Sequence, residues 1–228
     1  MNKERIFEKP TRHTLNDLVY EQIRDAIVKG FYAPGEKITI RELESELDVS
    51  VMPIRIALQR LVAEGALYLD KRRSVRVPNL SSESFAELIE LRLMLEGRAA
   101  ELAAKQITKD ELKTLKELIK RDKTLCKSGT SRELGEVNMA FHFTIYQAAR
   151  THHLFRMIET LWLKIGPLLN LPFRADAAGR KEFLVQKFDE GLLSALSQGK
   201  GREAKKLVCD GILYAADWYK EHHNFADG

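Results

Sequence analysis

Apolar residues recur at three- and four-residue steps over positions 14–29, where Leu15, Leu18, Val19, Ile23, Ala26 and Ile27 form a single stripe. That period predicts an amphipathic helix. Thr14 stands where a cap belongs, Gly30 where a stop belongs, and Ala33-Pro34-Gly35 reads as a turn. Thr39 followed by Glu42 has the spacing of a capping box, and Leu43 and Leu47 share one face of the short helix behind it. Asp48-Val49-Ser50 breaks that helix, and Ser50 is positioned to cap a third, whose stripe is Ile54, Ala57, Leu58, Leu61 and Val62. Pro53 falls in its first turn, where a missing N–H costs no hydrogen bond. After Gly65 the period shortens to two, and residues 66–69 and 74–77 predict two strands, the second ended by Pro78.

Beyond Pro78 the helical period returns and persists. Segments 82–105, 109–127, 132–150, 153–170 and 181–225, the last broken near 199–201, each carry an apolar stripe, such as Leu88, Leu91, Leu95, Ala99 and Leu102 in the first. The predicted fold is mainly α. A winged helix-turn-helix of three helices and a two-stranded wing (residues 1–78) precedes an all-α antiparallel helical bundle (residues 79–228), with a linker at 78–81.

Charge sharpens this picture. The net charge of +4 is small, but Lys71, Arg72, Arg73 and Arg76 crowd six positions without an acid among them. The third helix likewise carries Arg55, Gln59 and Arg60 with no acid between Asp48 and Glu64. A surface so arranged approaches phosphates without repulsion. Arg55, with Arg41 on the preceding helix, is expected to make the specific DNA contacts, with Ser50, Met52 and Pro53 beside them at the helix N-terminus. Lys71, Arg72 and Arg73 are expected to reach phosphate or minor groove as the wing. No apolar run is long enough to cross a bilayer, the N-terminus is charged where a secretory signal turns apolar, and Cys126 and Cys209 form no metal or redox pair. A cytoplasmic protein without a disulfide framework is expected.

The strings Pro34-Gly35-Glu36-Lys37-Ile38, Arg41-Glu42-Leu43, Leu47-Asp48-Val49-Ser50, Pro53-Ile54-Arg55, Ala57-Leu58-Gln59-Arg60-Leu61 and Glu64-Gly65-Ala66-Leu67 resemble the DNA-binding domain of the GntR family of bacterial regulators. The family often has Arg directly after the capping Ser and Glu after the helix Arg; Val51 and Ile56 stand there. Glu90-Leu91-Arg92 with Glu96 and Ala99-Ala100, and Phe141-His142 within 138–149, are similar to the FCD subclass, whose effector domains are antiparallel helical bundles. Many FCD members hold a divalent metal through an Asp and a His four residues apart on one helix plus two later His. The resemblance carries these onto Asn138, His142, Asp189 and Gly211, with His142 alone unchanged. A weakly bound divalent metal at Asn138, His142 and Asp189 is therefore the most the ligand set implies.

Arg92 lies among apolar residues, and an Arg so placed answers a carboxylate or phosphate, either of a ligand or of a protein acid such as Glu96. The expected effector site gathers Arg92, Asn138, His142 and Asp189 within the bundle, and its ligand is expected to be a small anionic metabolite. Trp162, Trp218, Phe141, Phe143 and Tyr146 have helical positions suited to core packing before pocket lining. The chain has no phosphate loop, HExxH or nucleophile elbow, which disfavours an enzyme, including a metal-dependent one using His142 and Asp189. The leading expectation is a homodimeric regulator binding a two-fold double-stranded operator under control of a small effector. A DNA-binding or architectural protein without an effector is the alternative.

Overall fold

A computed structural model describes residues 15–174 and 186–226. Helix α1 (Leu15–Val28) turns Val19, Tyr20, Ile23, Ile27 and Val28 inward, the stripe its sequence predicts; Thr14, expected as its cap, lies outside the described residues. Strand β1 (Lys37–Ile38) leads into α2 (Ile40–Leu47), capped by Thr39 and Glu42 in a reciprocal box. Asp48 closes α2 in the left-handed region (φ 51°), which an Asx side chain tolerates. Helix α3 (Val51–Ala63) follows, with Ser50 at the N-cap position. Contrary to expectation, the Ser50 side chain makes no capping bond.

The wing also differs from expectation. Strands β2 (Tyr68–Leu69) and β3 (Val75–Arg76) pair antiparallel, but β1 joins on the other side of β3, giving a three-stranded sheet in the order β1-β3-β2 with Lys37 opposite Arg76. Two residues are too few to display an alternation, so β1 left no periodic signal.

The bundle comprises α4 (Ser82–Ala103), α5 (Lys109–Ser128), α6 (Ser131–Ala148), α7 (His152–Leu169), the short α8 (Leu171–Arg174), α9 (Gln186–Ser197) and α10 (Gly201–His222). Thr108 with Glu111 and Thr130 with Glu133 form capping boxes that start α5 and α6. Helix α4 packs against α6, α7 and α10, around a core that includes Phe85, Ile145, Tyr146, Trp162 and Tyr219. The expected start of the last segment at 181–185 lies outside the described residues. Among described residues no helix is long and apolar enough to cross a membrane.

The two parts meet where α1 docks on α7. The space a Cβ would fill at Gly166 lies 2.7 Å from the Val28 carbonyl oxygen, and at Gly135 2.4 Å from that of Lys29. Only glycine allows so close a backbone approach. Buried Asn170 bonds through its amide nitrogen to the carbonyls of Val28 (3.3 Å) and Gly166 (2.8 Å), and Arg24 pairs with Glu159 at 3.4 Å. The linker is strapped from behind: Ala226 donates to the Leu80 carbonyl, and His223 Nε2 lies 2.9 Å from Asn79 Oδ1.

Candidate nucleic-acid interface and effector cavity

The cations of the N-terminal part fall into two groups. Arg60 stacks over the Tyr20 ring at 3.7 Å and bonds Glu64, and Arg76 is held by Asp70 (2.9 Å) and the Gly35 carbonyl (3.0 Å). These two brace the fold. Arg41, Arg55, Lys71, Arg72 and Arg73 are exposed, with no ion-pair partner among the described residues. Asp70 shapes the turn that carries the last three. Its carboxylate accepts from the backbone N–H of Arg72 and Ser74 at 2.8 Å, and these bonds, after the larger effect of Arg76, hold its pKa below the usual carboxylate value. Ser50 and Met52 are exposed at the start of α3. Pro53, expected among the contacting residues, is instead buried in the core. It shapes the first turn and leaves little surface for a contact.

Within the bundle, Arg92 of α4, Asn138 and His142 of α6 and Asp189 of α9 line one cavity, from three helices. Phe173, Phe188, Leu207 and Ile212 supply apolar wall. Its volume is about 50 Å³, against roughly 150 Å³ for a cavity that admits benzene, so seating an organic ligand requires wall side chains to move outward. A larger groove, about 740 Å³, runs between α5 and α9 past Lys113, Lys116 and Lys120 and contains none of the expected effector residues.

Glu96 organises the cavity wall. Arg92 lies against it with Nε 2.6 Å from Oε1 and Nη2 3.2 Å from Oε2; Trp162 Nε1 donates to Oε1 at 3.1 Å and the Tyr146 hydroxyl to Oε2 at 2.5 Å. Both members of the pair are buried. Of the two partners open to Arg92 in the sequence, the protein acid has it. His142 Nδ1 lies 3.1 Å from the Tyr146 oxygen. Burial lowers the His142 pKa to about 4, outweighing the opposing charge of Glu96, and burial with that same charge raises Tyr146 well above its ordinary value. Burial, reinforced by Asp122 and Glu190 against the countering Lys123, raises Asp189 to about 7.

This charge distribution corrects the basis for expecting an anionic ligand. Arg92 is matched by Glu96 and His142 is neutral near pH 7, so neither supplies a free positive charge. The donor set does not fit a divalent metal either. Gly211 contributes no ligand atom, Asn138 offers a weak amide oxygen, and among described residues no group of three His, Cys, Asp or Glu side chains is arranged to hold one. Trp162 lines the cavity, and Tyr146 and Glu96 support its wall from behind, where the sequence put core packing first for the two aromatics and pairing for Glu96.

Residues 15–77 match the family described as bacterial regulatory proteins, gntR family, and residues 87–210 match the FCD domain. The HTH-type transcriptional regulator McbR of Escherichia coli is 29% identical over 157 residues, 69% of this chain and 71% of that protein. The HTH-type transcriptional repressor GlaR of the same organism is 26% identical over 63% and 67% of the two chains. The solved structure of E. coli McbR/YncC superposes with a TM-score of 0.83 at 25% identity, covering 93% of this chain and 100% of the other. A GntR regulator structure from Rhodococcus sp. RHA1, at 19% identity and a TM-score of 0.73, shares the fold.

Proposed function

The chain belongs to the GntR family of bacterial regulatory proteins and carries an FCD domain, and from that premise we propose that it is a dimeric, effector-responsive transcriptional regulator of a two-fold DNA operator. It acts by binding rather than by catalysis. One observation carries the DNA-reading assignment: Arg41, Arg55 and Lys71 to Arg73 stay exposed and unpaired among the described residues while Arg60 and Arg76 beside them are tied into the fold. In this reading Arg55 of α3 and Arg41 at the start of the preceding helix α2 give base or adjacent phosphate contacts, with Ser50 and Met52 beside them at the start of α3, and the wing grips phosphate or the minor groove.

An operator selected from randomised duplex DNA supplies the test. Arg55→Ala is expected to weaken binding by about 1–3 kcal/mol and to relax selectivity at one position of each half-site. Unchanged affinity and selectivity would remove Arg55 from the reading surface.

The dimer reading draws on apolar surface left open on the bundle, where Leu91 and Met94 of α4 and Leu213 of α10 are exposed. Two recognition helices then reach half-sites about one helical turn or more apart. Sedimentation of the full-length chain at micromolar concentration is expected to show a dimer, and a monomer that binds its operator non-cooperatively would contradict it. The cavity lined by Arg92, Asn138, His142 and Asp189 is the effector site in this reading, and cytoplasmic DNA is the partner.

A further inference from the structure

The effector cavity, taken as such from the reading above, presents a hydrogen-bond acceptor whose identity is fixed by its neighbours. Glu96 receives two donors from Arg92 and one each from Trp162 and Tyr146. A carboxylate so surrounded only accepts, so the 2.5 Å contact from Tyr146 consumes the single proton of that hydroxyl. At the 3.1 Å contact between Tyr146 and His142 Nδ1, the phenolic oxygen must therefore accept and the imidazole must donate. A neutral imidazole with its proton on Nδ1 carries a lone pair on Nε2. Among the described residues nothing hydrogen-bonds that nitrogen.

Among the described residues, the other polar groups lining the cavity add no free cation. Arg92 is neutralised by Glu96, Asp189 is a further carboxyl, and Asn138 is uncharged with no hydrogen-bond partner among the described residues. Among the described residues, a carboxylate entering here finds a side-chain donor only in the Asn138 amide, and meets an acceptor lone pair and a second carboxyl with no unmatched positive charge. An O–H or N–H group meets an acceptor that lacks its donor, and an apolar body meets Phe173, Phe188, Leu207 and Ile212. At Gly211 a Cβ would sit in ordinary contact with Phe188, 3.7 Å away, so a methyl-sized group fits against that ring.

We propose that the cavity takes an uncharged ligand with a hydrogen-bond donor on an apolar body, such as an alcohol, a phenol or an N–H heterocycle, which bonds His142 Nε2, and not a carboxylate or a metal ion. Tyr146 is a positioning residue that sets the tautomer. Leaving a buried acceptor unmatched discriminates strongly between ligands of similar shape.

The experiment uses the full-length protein labelled with nitrogen-15 at histidine. Proton–nitrogen correlation spectra are expected to show His142 protonated on Nδ1, and Tyr146→Phe to shift it toward the other tautomer. Phenol, benzyl alcohol and indole are then compared with benzoate by calorimetry. The neutral series is expected to bind at least tenfold more tightly, to perturb the Nε2 resonance, and to lose about tenfold in His142→Phe. An Nε2–H tautomer in the parent protein, or benzoate binding as tightly as the neutral compounds with operator affinity responding to it, overturns the inference and leaves the effector reading standing. Failure of both series to bind overturns the effector reading and the inference together.

Discussion

His142 and Asp189 line one cavity, yet burial moves their protonation in opposite senses for stability. The unfolded imidazole takes a proton below its ordinary 6.5, while the folded one, beside Arg92, Glu96 and Tyr146, resists until about 4. Its contribution is therefore full above pH 6.5 and is lost as pH falls toward 4. The folded Asp189 carboxyl, facing Asp122, Lys123 and Glu190, keeps its proton up to about 7 against an ordinary 3.8, so its contribution is full below 3.8 and is lost as pH rises through 7. Between pH 4 and 6.5 the two slopes oppose each other. Asp189→Asn is expected to make urea midpoints fall with acidification more steeply than in the parent, and His142→Gln to make them rise. Two variants with the parent's pH profile would show that neither shift operates. The sequence disclosed the i,i+4 relation of Arg92 and Glu96, but not the choice between Glu96 and a ligand. That choice depends on Tyr146 and Trp162, 50 and 66 positions from Glu96, converging on its carboxylate.

Elements were legible where local chemistry determines them. The Thr39–Glu42 box and the apolar stripes of α1 and α3 are written within a few residues of the helices they build. The docking of α1 on α7 is not written that way, because it depends on Gly166 admitting a carbonyl from Val28, far earlier in the chain. No period or motif marks such a glycine. With a Cβ due 2.7 Å from that oxygen and 2.9 Å from the Val28 Cα, Gly166→Ala must displace backbone, at a cost of about 1–3 kcal/mol. Hydrogen exchange is expected to accelerate in the last turn of α1 while α10 keeps its protection; unchanged protection in α1 would show that the seam yields without loss. Asn170 adds to the seam a buried side-chain oxygen with no partner among the described residues, so the latch is held by its nitrogen alone.

Across the whole molecule, the end of α7 belongs to both functional regions. Leu169 lines the cavity and accepts from the Tyr219 hydroxyl of the cavity wall at 2.8 Å, and the next residue, Asn170, holds the end of α1. A displacement of that turn is thus shared by the cavity and the DNA-binding part. Before any effector can matter, the exposed cations of the N-terminal part have to grip DNA. The salt dependence of operator affinity reads that grip, for the full-length chain and for a variant with Lys71, Arg72 and Arg73 all replaced by Ala. Each phosphate that the protein ceases to neutralise lowers the log–log slope by about one unit. A wing that grips the backbone gives the variant a slope reduced by about two to three units, with affinity weakened across all sequences and operator preference retained through Arg41 and Arg55. A slope equal to that of the parent protein would contradict it, leaving Lys71, Arg72 and Arg73 as a solvated turn.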